Sequence, residues 1–533
     1  MPSTNGVAHG TAFAFSAGKL PKQLFINNEY VDAKSTKKLS VYNPKDGSLV
    51  ADDIPIAGQE DVDAAVAAAE AAFPAWKKWT AVARRNVMDK FAALLEQHTE
   101  ALAELTRITL GAPFGAFGKF EVGMCAEVGR RDGTWSVITR LTADSRHLDI
   151  MQVGSTSLSE KPFLKKMGLC RSHATNRWES LLASSRGTVS RMTVLLRRFT
   201  TDKSPGPLGS AGLKAAPALA TGNCFIVKPS EKTPFASLAL GPLIKEAGFP
   251  PGVFQILSGD GSTGALIASH MRVRKVSFTG SIPTGKKIQE MAAKSNLKRV
   301  TLELGGKSPA VIFDDCDLDN AVTWAVNALA TNTGQVCFAA TRVYVQEGIY
   351  DKFVQKYKAA LEERAKAIGD PDIESTLMGP LVDEAHFQRV TGFIQRGASQ
   401  GKLLTGGKRV GGKGFFVEPT VFENVSSDAE IYSQEIFGPV SVLNSFKTEE
   451  EAIQKANSTE YGLMAGVFTQ DINKALRVAS EFDSGMVGIN CISLTFLTAP
   501  FGGSKQSGLG RECGMLALQT FTEPKTIMVN LTY

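Results

Sequence analysis

Cys337 ends the segment Asn332-Thr-Gly-Gln-Val-Cys337 and is followed by Ala339-Ala-Thr-Arg342 and an apolar run. A cysteine on such a small-residue loop can act as a nucleophile if backbone N–H groups stabilise its thiolate, whereas most isolated cysteines are buried packing residues. Glu303 stands in Thr301-Leu-Glu-Leu-Gly-Gly306, flanked by leucines. Apolar surroundings raise a carboxyl pKa toward the range of a general base; the plain alternative is a strand-end glutamate in a salt bridge. Phe278-Thr-Gly-Ser-Ile-Pro-Thr-Gly285 sets glycines and hydroxyls between a strand and a helix beginning near Lys286. Backbone N–H groups there can approach a phosphate, and the helix dipole favours the anion, although such turns also occur as simple tight turns. Val227-Lys-Pro-Ser-Glu231 follows the end of another strand. Lys228 and Glu231 could hydrogen-bond sugar hydroxyls, with the acid repelling a 2′-phosphate; a solvated Lys and Glu is the alternative.

These groups need strand ends brought together. From residue 206 onward, short apolar runs alternate with helical segments: strands over 224–227, 253–257 and 275–278, helical patterns over 231–246 and 263–269. That alternation is the pattern of a doubly wound α/β domain, whose parallel strand ends form a ligand crevice. A second α/β block spans about 304–500, with strands over 310–313, 342–345 and 486–490 and a long helix over 350–367. Earlier, residues 23–31 read as a strand and turn through Asn27-Asn28, and Val62, Val66, Ala69 and Phe73 recur at helical spacing, as do Val87, Phe91, Leu94 and Leu95. These first helices read as packing elements.

The chain has 533 residues, 43% hydrophobic and 21% charged, which excludes wholesale disorder. Its 59 Lys+Arg against 53 Asp+Glu give a formal +6, but 14 of the bases and only 6 of the acids lie within residues 129–205. Outside that stretch the chain is mildly acidic, which argues against nucleic acid as a partner. No Lys or Arg precedes Lys19, and the most apolar window, 211–227, is interrupted by Lys214, Pro217 and Gly222. A cytoplasmic protein without a membrane span is expected. Seven scattered cysteines show neither disulfide pairing nor C-x-x-C spacing, so reduced thiols and no metal site are expected.

Six motifs occur in order: Val227-Lys-Pro-Ser-Glu231, Phe278-Thr-Gly-Ser281, Leu302-Glu-Leu-Gly-Gly306, Gly334-Gln-Val-Cys337, Glu435-Ile-Phe-Gly-Pro439, and Pro500-Phe-Gly-Gly503 through Ser507-Gly-Leu-Gly-Arg-Glu512. On these the chain resembles the NAD(P)-dependent aldehyde dehydrogenase superfamily over about residues 20–128 and 206–533. The resemblance implies an α/β fold with four parts. A flexible arm would cover 1–20, a doubly wound NAD-binding domain 21–303, an α/β catalytic domain 304–505, and a return to the cofactor domain with a C-terminal oligomerisation strand 506–533. It implies that Cys337 attacks an aldehyde, that hydride leaves to a nicotinamide, and that Glu303 activates the water that hydrolyses the resulting thioester to a carboxylic acid. Lys228, Ser230 and Glu231 would hold the adenosine ribose and favour NAD over NADP. Gly280, Ser281 and Gly285 would lie beside the pyrophosphate, and Glu435 and Phe437 at the nicotinamide ribose and ring. The implied partner is a small-molecule aldehyde entering past an apolar mouth at Phe338 and residues 492–497. The implied assembly is a homodimer or homotetramer.

Residues 129–205 depart from this pattern. Family members carry here a hairpin used in oligomerisation and the strand that opens the nucleotide sheet, ending in a Pro-Trp-Asn-like motif directly before Gly-Pro-Leu. Gly206-Pro-Leu208 instead follows Asp202-Lys-Ser-Pro205. The resemblance thus implies loss of the asparagine oxyanion donor, worth roughly 10²- to 10³-fold in rate, and of the central strand, leaving unpaired backbone. The abrupt change, with its Arg and Ser enrichment, reads as translated intron or out-of-frame sequence within a gene for this family. The rival readings are an inactive paralogue and an electrostatic binder using the basic insert.

Overall fold

A computed structural model describes residues 13–131, 193–197 and 206–526. Its first sheet has eight strands, in spatial order Gly508–Leu509, Arg299–Glu303, Lys275–Thr279, Thr193–Arg197, Phe225–Lys228, Phe254–Ile256, Leu24–Ile26 and Glu29–Val31. The five central strands are parallel, and the outer three pair antiparallel. Leu24–Ile26 and Glu29–Val31 form the hairpin expected at Asn27-Asn28, whose φ values of 55° and 63° are those that a tight hairpin turn requires and Asn tolerates.

The expected loss of the central strand is corrected. Thr193–Arg197 occupies the middle of the sheet, with Thr193 in register with Phe225 on one side and Lys275 on the other, and Leu195 with Val227 and Ser277. Thr-Val-Leu-Leu-Arg is a short β-branched and aliphatic run, which a central parallel strand needs. Within so polar a stretch, five residues carry too little periodicity to stand out. The helix expected over 231–246 is also corrected: two short helices, Phe235–Leu238 and Gly241–Ala247, are separated by a turn at Ala239-Leu240, the second opening on Gly241-Pro242. The end of the supposed loose arm is packed down, since Phe13, Phe15 and Leu20 lie against the core and Phe13 stacks on His98 at 4.7 Å. Residues 527–533, at the end of the part expected to carry the C-terminal oligomerisation strand, lie outside the described residues.

The second sheet has seven strands, in order Lys402–Thr405, Thr420–Glu423, Val440–Phe446, Ala340–Gln346, Ser308–Ile312, Met464–Phe468 and Met486–Ile489, parallel except for the first. Alternation along each strand divides the residues between two cores. Val311, Tyr344 and Val442 pack with Phe387, Val390, Phe393 and Ala475 on one face; Ala310, Ile312, Val343, Val345 and Leu443 pack with Leu329, Phe353, Tyr357 and Leu361 on the other. Helices therefore cover both faces, which is the condition for burying a parallel sheet.

The two layers are joined where the strand Arg299–Glu303 leaves the first sheet and Ser308–Ile312 enters the second. The C-terminal part returns to this seam. Gly508–Leu509 pairs with Leu302 and Glu303, Leu304 donates its N–H to Ser507 O at 2.8 Å, and Ser507 Oγ donates to Gly305 O at 2.7 Å.

Candidate active site

The helix Leu318–Ala330, capped by Asp317, runs into a turn at Thr331–Gly334. There Asn332, Thr333 and Gly334 have φ of 47°, 56° and 68°. A Cβ on Gly334 would stand 2.3 Å from the Gly438 carbonyl oxygen, so the strained turn accepts only glycine at its end. Side chains lock the remainder. Gln335 Nε2 donates to Asn332 O and Pro380 O at 3.0 and 3.3 Å, its Oε1 accepts from Val382 N–H at 2.9 Å, and Thr333 Oγ1 donates to Gly379 O at 2.7 Å. The next turn, closed by Ala339 N–H on Val336 O at 3.1 Å, carries Cys337 and Phe338. Cys337 is a half-buried reduced thiol. It packs, with Phe338 and Leu497, on a cluster of Leu463, Phe501 and Cys513, and the Phe338 and Phe501 rings meet edge to face at 5.8 Å.

Glu303 ends its strand only 2% exposed, and neither carboxyl oxygen has a hydrogen-bond partner among the described residues. The salt-bridge alternative therefore fails for it. Loss of water raises its pKa well above the ordinary carboxylate value; nearby Glu512 adds to the rise, while Lys214 and Arg511 oppose it. The same segment reaches the cysteine: a Cβ on Gly306 would stand 2.4 Å from Cys337 O, and one on Gly502, beside Phe501, 2.7 Å from Glu303 Oε1. The seam thus packs the segment that follows Glu303 against the Cys337 turn, through backbones that approach too closely for side chains.

Sequence reasoning missed the pair behind Glu303. Lys214, fully buried, is ion-paired to Glu512, and Glu512 also accepts from Ser277 Oγ at 3.2 Å. The signal was present, because one lysine inside the apolar helix Pro207–Ala220 must find a partner when the helix is buried on all sides.

Of the residues expected to meet a nucleotide, Lys228 is fully buried, its ammonium donating to Pro229 O and Gly259 O at 2.6 and 2.8 Å. Glu231 Oε2 lies 3.9 Å from that ammonium, buried and without a hydrogen-bond partner among the described residues. Ser230 Oγ accepts the Lys232 N–H at 3.2 Å. The solvated Lys and Glu alternative is thereby excluded. Gly280 follows the strand Lys275–Thr279, with its N–H donated to Glu303 O at 3.0 Å, and Ser281 caps the helix Ile282–Lys294. A Cβ on Gly285 would stand 2.8 Å from Leu304, so glycine there lets that helix settle against the seam. Glu435 Oε1 accepts from Gly306 N–H at 3.2 Å, and Phe437 is buried with φ of 61°. A Cβ on Gly305 would stand 1.9 Å from Glu435 Oε2. Among the described residues no cluster of His, Cys, Asp or Glu could hold a metal, and no helix is long and apolar enough to cross a membrane.

The aldehyde dehydrogenase family profile matches residues 30–145 and 206–527. The unmatched stretch is therefore 146–205, narrower than the 129–205 marked out by the motifs. Retinal dehydrogenase 2 of Homo sapiens is 41% identical over 519 residues, covering 96% of this chain and 92% of its own. An aldehyde dehydrogenase of Davidiella tassiana is 39% identical over 516 residues, 96% of each chain. Among solved structures, the P. syringae indole-3-acetaldehyde dehydrogenase in complex with NAD+ and IAA superposes with a TM-score of 0.84 at 32% identity, covering 97% of this chain and all of the other. The P. syringae structure thus shares the overall fold of this chain. The chain belongs to the aldehyde dehydrogenase family and is an oxidoreductase.

Proposed function

We propose that the protein oxidises an aldehyde to its carboxylic acid with NAD, using Cys337 as nucleophile and Glu303 as base. The observation that carries the reading is the meeting of the cysteine turn with the segment after Glu303, where Gly306 packs against the Cys337 carbonyl. The Cys337 thiolate adds to the aldehyde carbon and gives a thiohemiacetal. NAD, when bound, accepts the hydride that leaves this carbon, and a thioester remains on Sγ. Glu303 then takes a proton from a water whose oxygen attacks the thioester carbon. The C–S bond breaks, the acid departs and the thiolate is restored. Phe338, Phe501 and Leu497 give the aldehyde an apolar wall.

The residues present fit NAD. Glu231 offers ribose hydroxyls a carboxylate oxygen that has no hydrogen-bond partner among the described residues, and a carboxylate there disfavours a 2′-phosphate. Lys228 and Ser230 shape the strand end around it. Gly280, Ser281 and Gly285 build the turn that opens the helix Ile282–Lys294, whose N-terminal dipole favours the pyrophosphate, while Glu435 and Phe437 hold the nicotinamide end. In this reading residues 21–303 form the cofactor domain and 304–505 the catalytic domain. Residues 506–533 return to the first and end in an oligomerisation strand, giving a homodimer or homotetramer in the cytoplasm. An electrostatic role for the basic stretch is not favoured, because relatives match 96% of the chain as enzymes.

Purified protein mixed with NAD and a panel of aliphatic and aromatic aldehydes should form NADH, with Cys337→Ala abolishing it. NADH formation that survives Cys337→Ala would refute the assignment.

A further inference from the structure

The helix Glu384–Gly397 stands between the two ends of the proposed cofactor site and touches both. At its start Asp383 is the N-cap, its Oδ1 accepting the His386 N–H at 2.8 Å. The other oxygen of the same carboxylate, Oδ2, is ion-paired at 2.5 Å to Lys232, the residue directly after the Lys228-Pro-Ser-Glu231 strand end of the first sheet. Lys232 and Asp383 side chains are 13% and 27% exposed, so the pair is largely withdrawn from water and from screening by salt.

One turn into the helix, His386 and Arg389 hold three successive carbonyls of the segment expected to face the nicotinamide. His386 Nε2 lies 2.7 Å from Phe437 O, Arg389 Nη2 donates to Glu435 O at 2.8 Å, and Arg389 Nη1 donates to Ile436 O at 3.4 Å. The spacing of three residues puts both side chains on one face of the helix. Val390 adds packing, since a Cβ on Gly438 would stand 2.8 Å from its Cγ2. The segment so held contains Phe437 at φ 61°, a conformation that persists only when its surroundings enforce it. Gly438 O in turn abuts Gly334 of the cysteine turn.

We propose that the Lys232–Asp383 ion pair and the helix it caps form a strut between the two sheets, making Lys232 a positioning residue for hydride transfer although it belongs to the adenosine end of the site. The inference rests on the reading that residues 228–231 and 435–437 hold the two ends of NAD. Moving the helix N-terminus moves His386 and Arg389, and with them the carbonyls that fix Phe437 and Glu435. An error of about 1 Å there is enough to cost up to 10²-fold in a reaction that depends on near-attack geometry.

Asp383→Asn separates the strut from the helix cap, because the amide oxygen still accepts from His386 N–H while the charge is gone. Lys232→Met removes the other partner. Without cofactor, each variant should show faster amide hydrogen exchange in peptides covering 433–440, with the melting temperature within a few degrees of wild type. With cofactor and a 1-deuterated aldehyde, each should lower kcat about tenfold and raise the isotope effect on kcat, with NADH affinity changed less than kcat. The double variant should be no worse than either single one, since both remove the same contact. Unchanged exchange at 433–440, or effects that multiply in the double variant, would overturn the proposal. Glu435→Gln tests the underlying reading separately: wild-type kcat and KM for NAD in that variant would remove the reading, and the proposal with it, whereas a fall in kcat leaves the strut to be judged by the Lys232 and Asp383 variants.

Discussion

At the scale of single residues, the proposed chemistry turns on Glu303 being buried without a hydrogen-bond partner among the described residues. Glu303→Gln should leave thioester formation intact and slow its hydrolysis by about 10²-fold or more, so that rapid mixing gives one equivalent of NADH followed by a slow steady state. Because the carboxyl pKa is raised by burial and by Glu512, the base form fills only as pH rises, and wild-type turnover limited by hydrolysis should increase into the alkaline range. The same shift has a cost in stability. The unfolded chain releases this proton near the ordinary carboxylate value of 4.5 and the folded one much later. The acid therefore contributes stability at low pH and loses it as pH rises through the folded pKa. Glu303→Gln escapes that loss, so its melting temperature relative to wild type should rise with pH; a difference independent of pH would contradict the burial argument. The sequence displayed Cys337 and Glu303 through their motifs. It did not display Lys214 and Glu512 as partners, because their positions are 298 residues apart and only the return of the chain to the first sheet joins them.

At the scale of elements, close approach of backbones makes the site, and glycines permit it. Gly285→Ala would press a methyl group into Leu304 at 2.8 Å, with a cost of about 1–3 kcal/mol and a higher KM for NAD as the helix Ile282–Lys294 shifts. Gly123, in the helix Lys119–Arg131, is the control: a Cβ there meets nothing within 4 Å. Gly123→Ala should therefore stabilise by about 0.5–1 kcal/mol through helix propensity, and thermal unfolding of the two variants in opposite directions checks both. Strands and helices of the two blocks were legible to within a few residues, since Phe225–Lys228, Lys275–Thr279 and Tyr350–Ala365 announce themselves by periodicity. The split of 231–246 into two helices was written in Gly241-Pro242 and overridden by the apolar spacing around it.

At the scale of the whole molecule, the formal charge of +6 says little about partners. It is the sum of an acidic two-sheet enzyme and one basic stretch, and that stretch contributes the strand Thr193–Arg197 at the centre of the first sheet. Loss of this strand is expected from sequence because the Pro-Trp-Asn-like motif that ends it in the family is missing before Gly206-Pro-Leu208, and five residues in a polar setting offer no pattern to read. Its pairing on both sides is a testable feature. Leu195→Pro removes an N–H from a strand bonded to both neighbours and should cost about 3 kcal/mol or more, lowering the melting temperature and abolishing NADH binding; an unaltered melting curve would remove the strand from the sheet. Pro205→Asn, which places an asparagine directly before Gly206-Pro-Leu208, should raise turnover, by up to the roughly 10²- to 10³-fold that one oxyanion donor is worth. The central claim, that Cys337 carries the acyl group and Glu303 releases it, is tested most directly by intact mass spectrometry of Glu303→Gln quenched during the NADH burst. The account predicts one acyl group per chain, located on the peptide containing Cys337 and equal in amount to the NADH formed; NADH without any covalent adduct on Cys337 would contradict it.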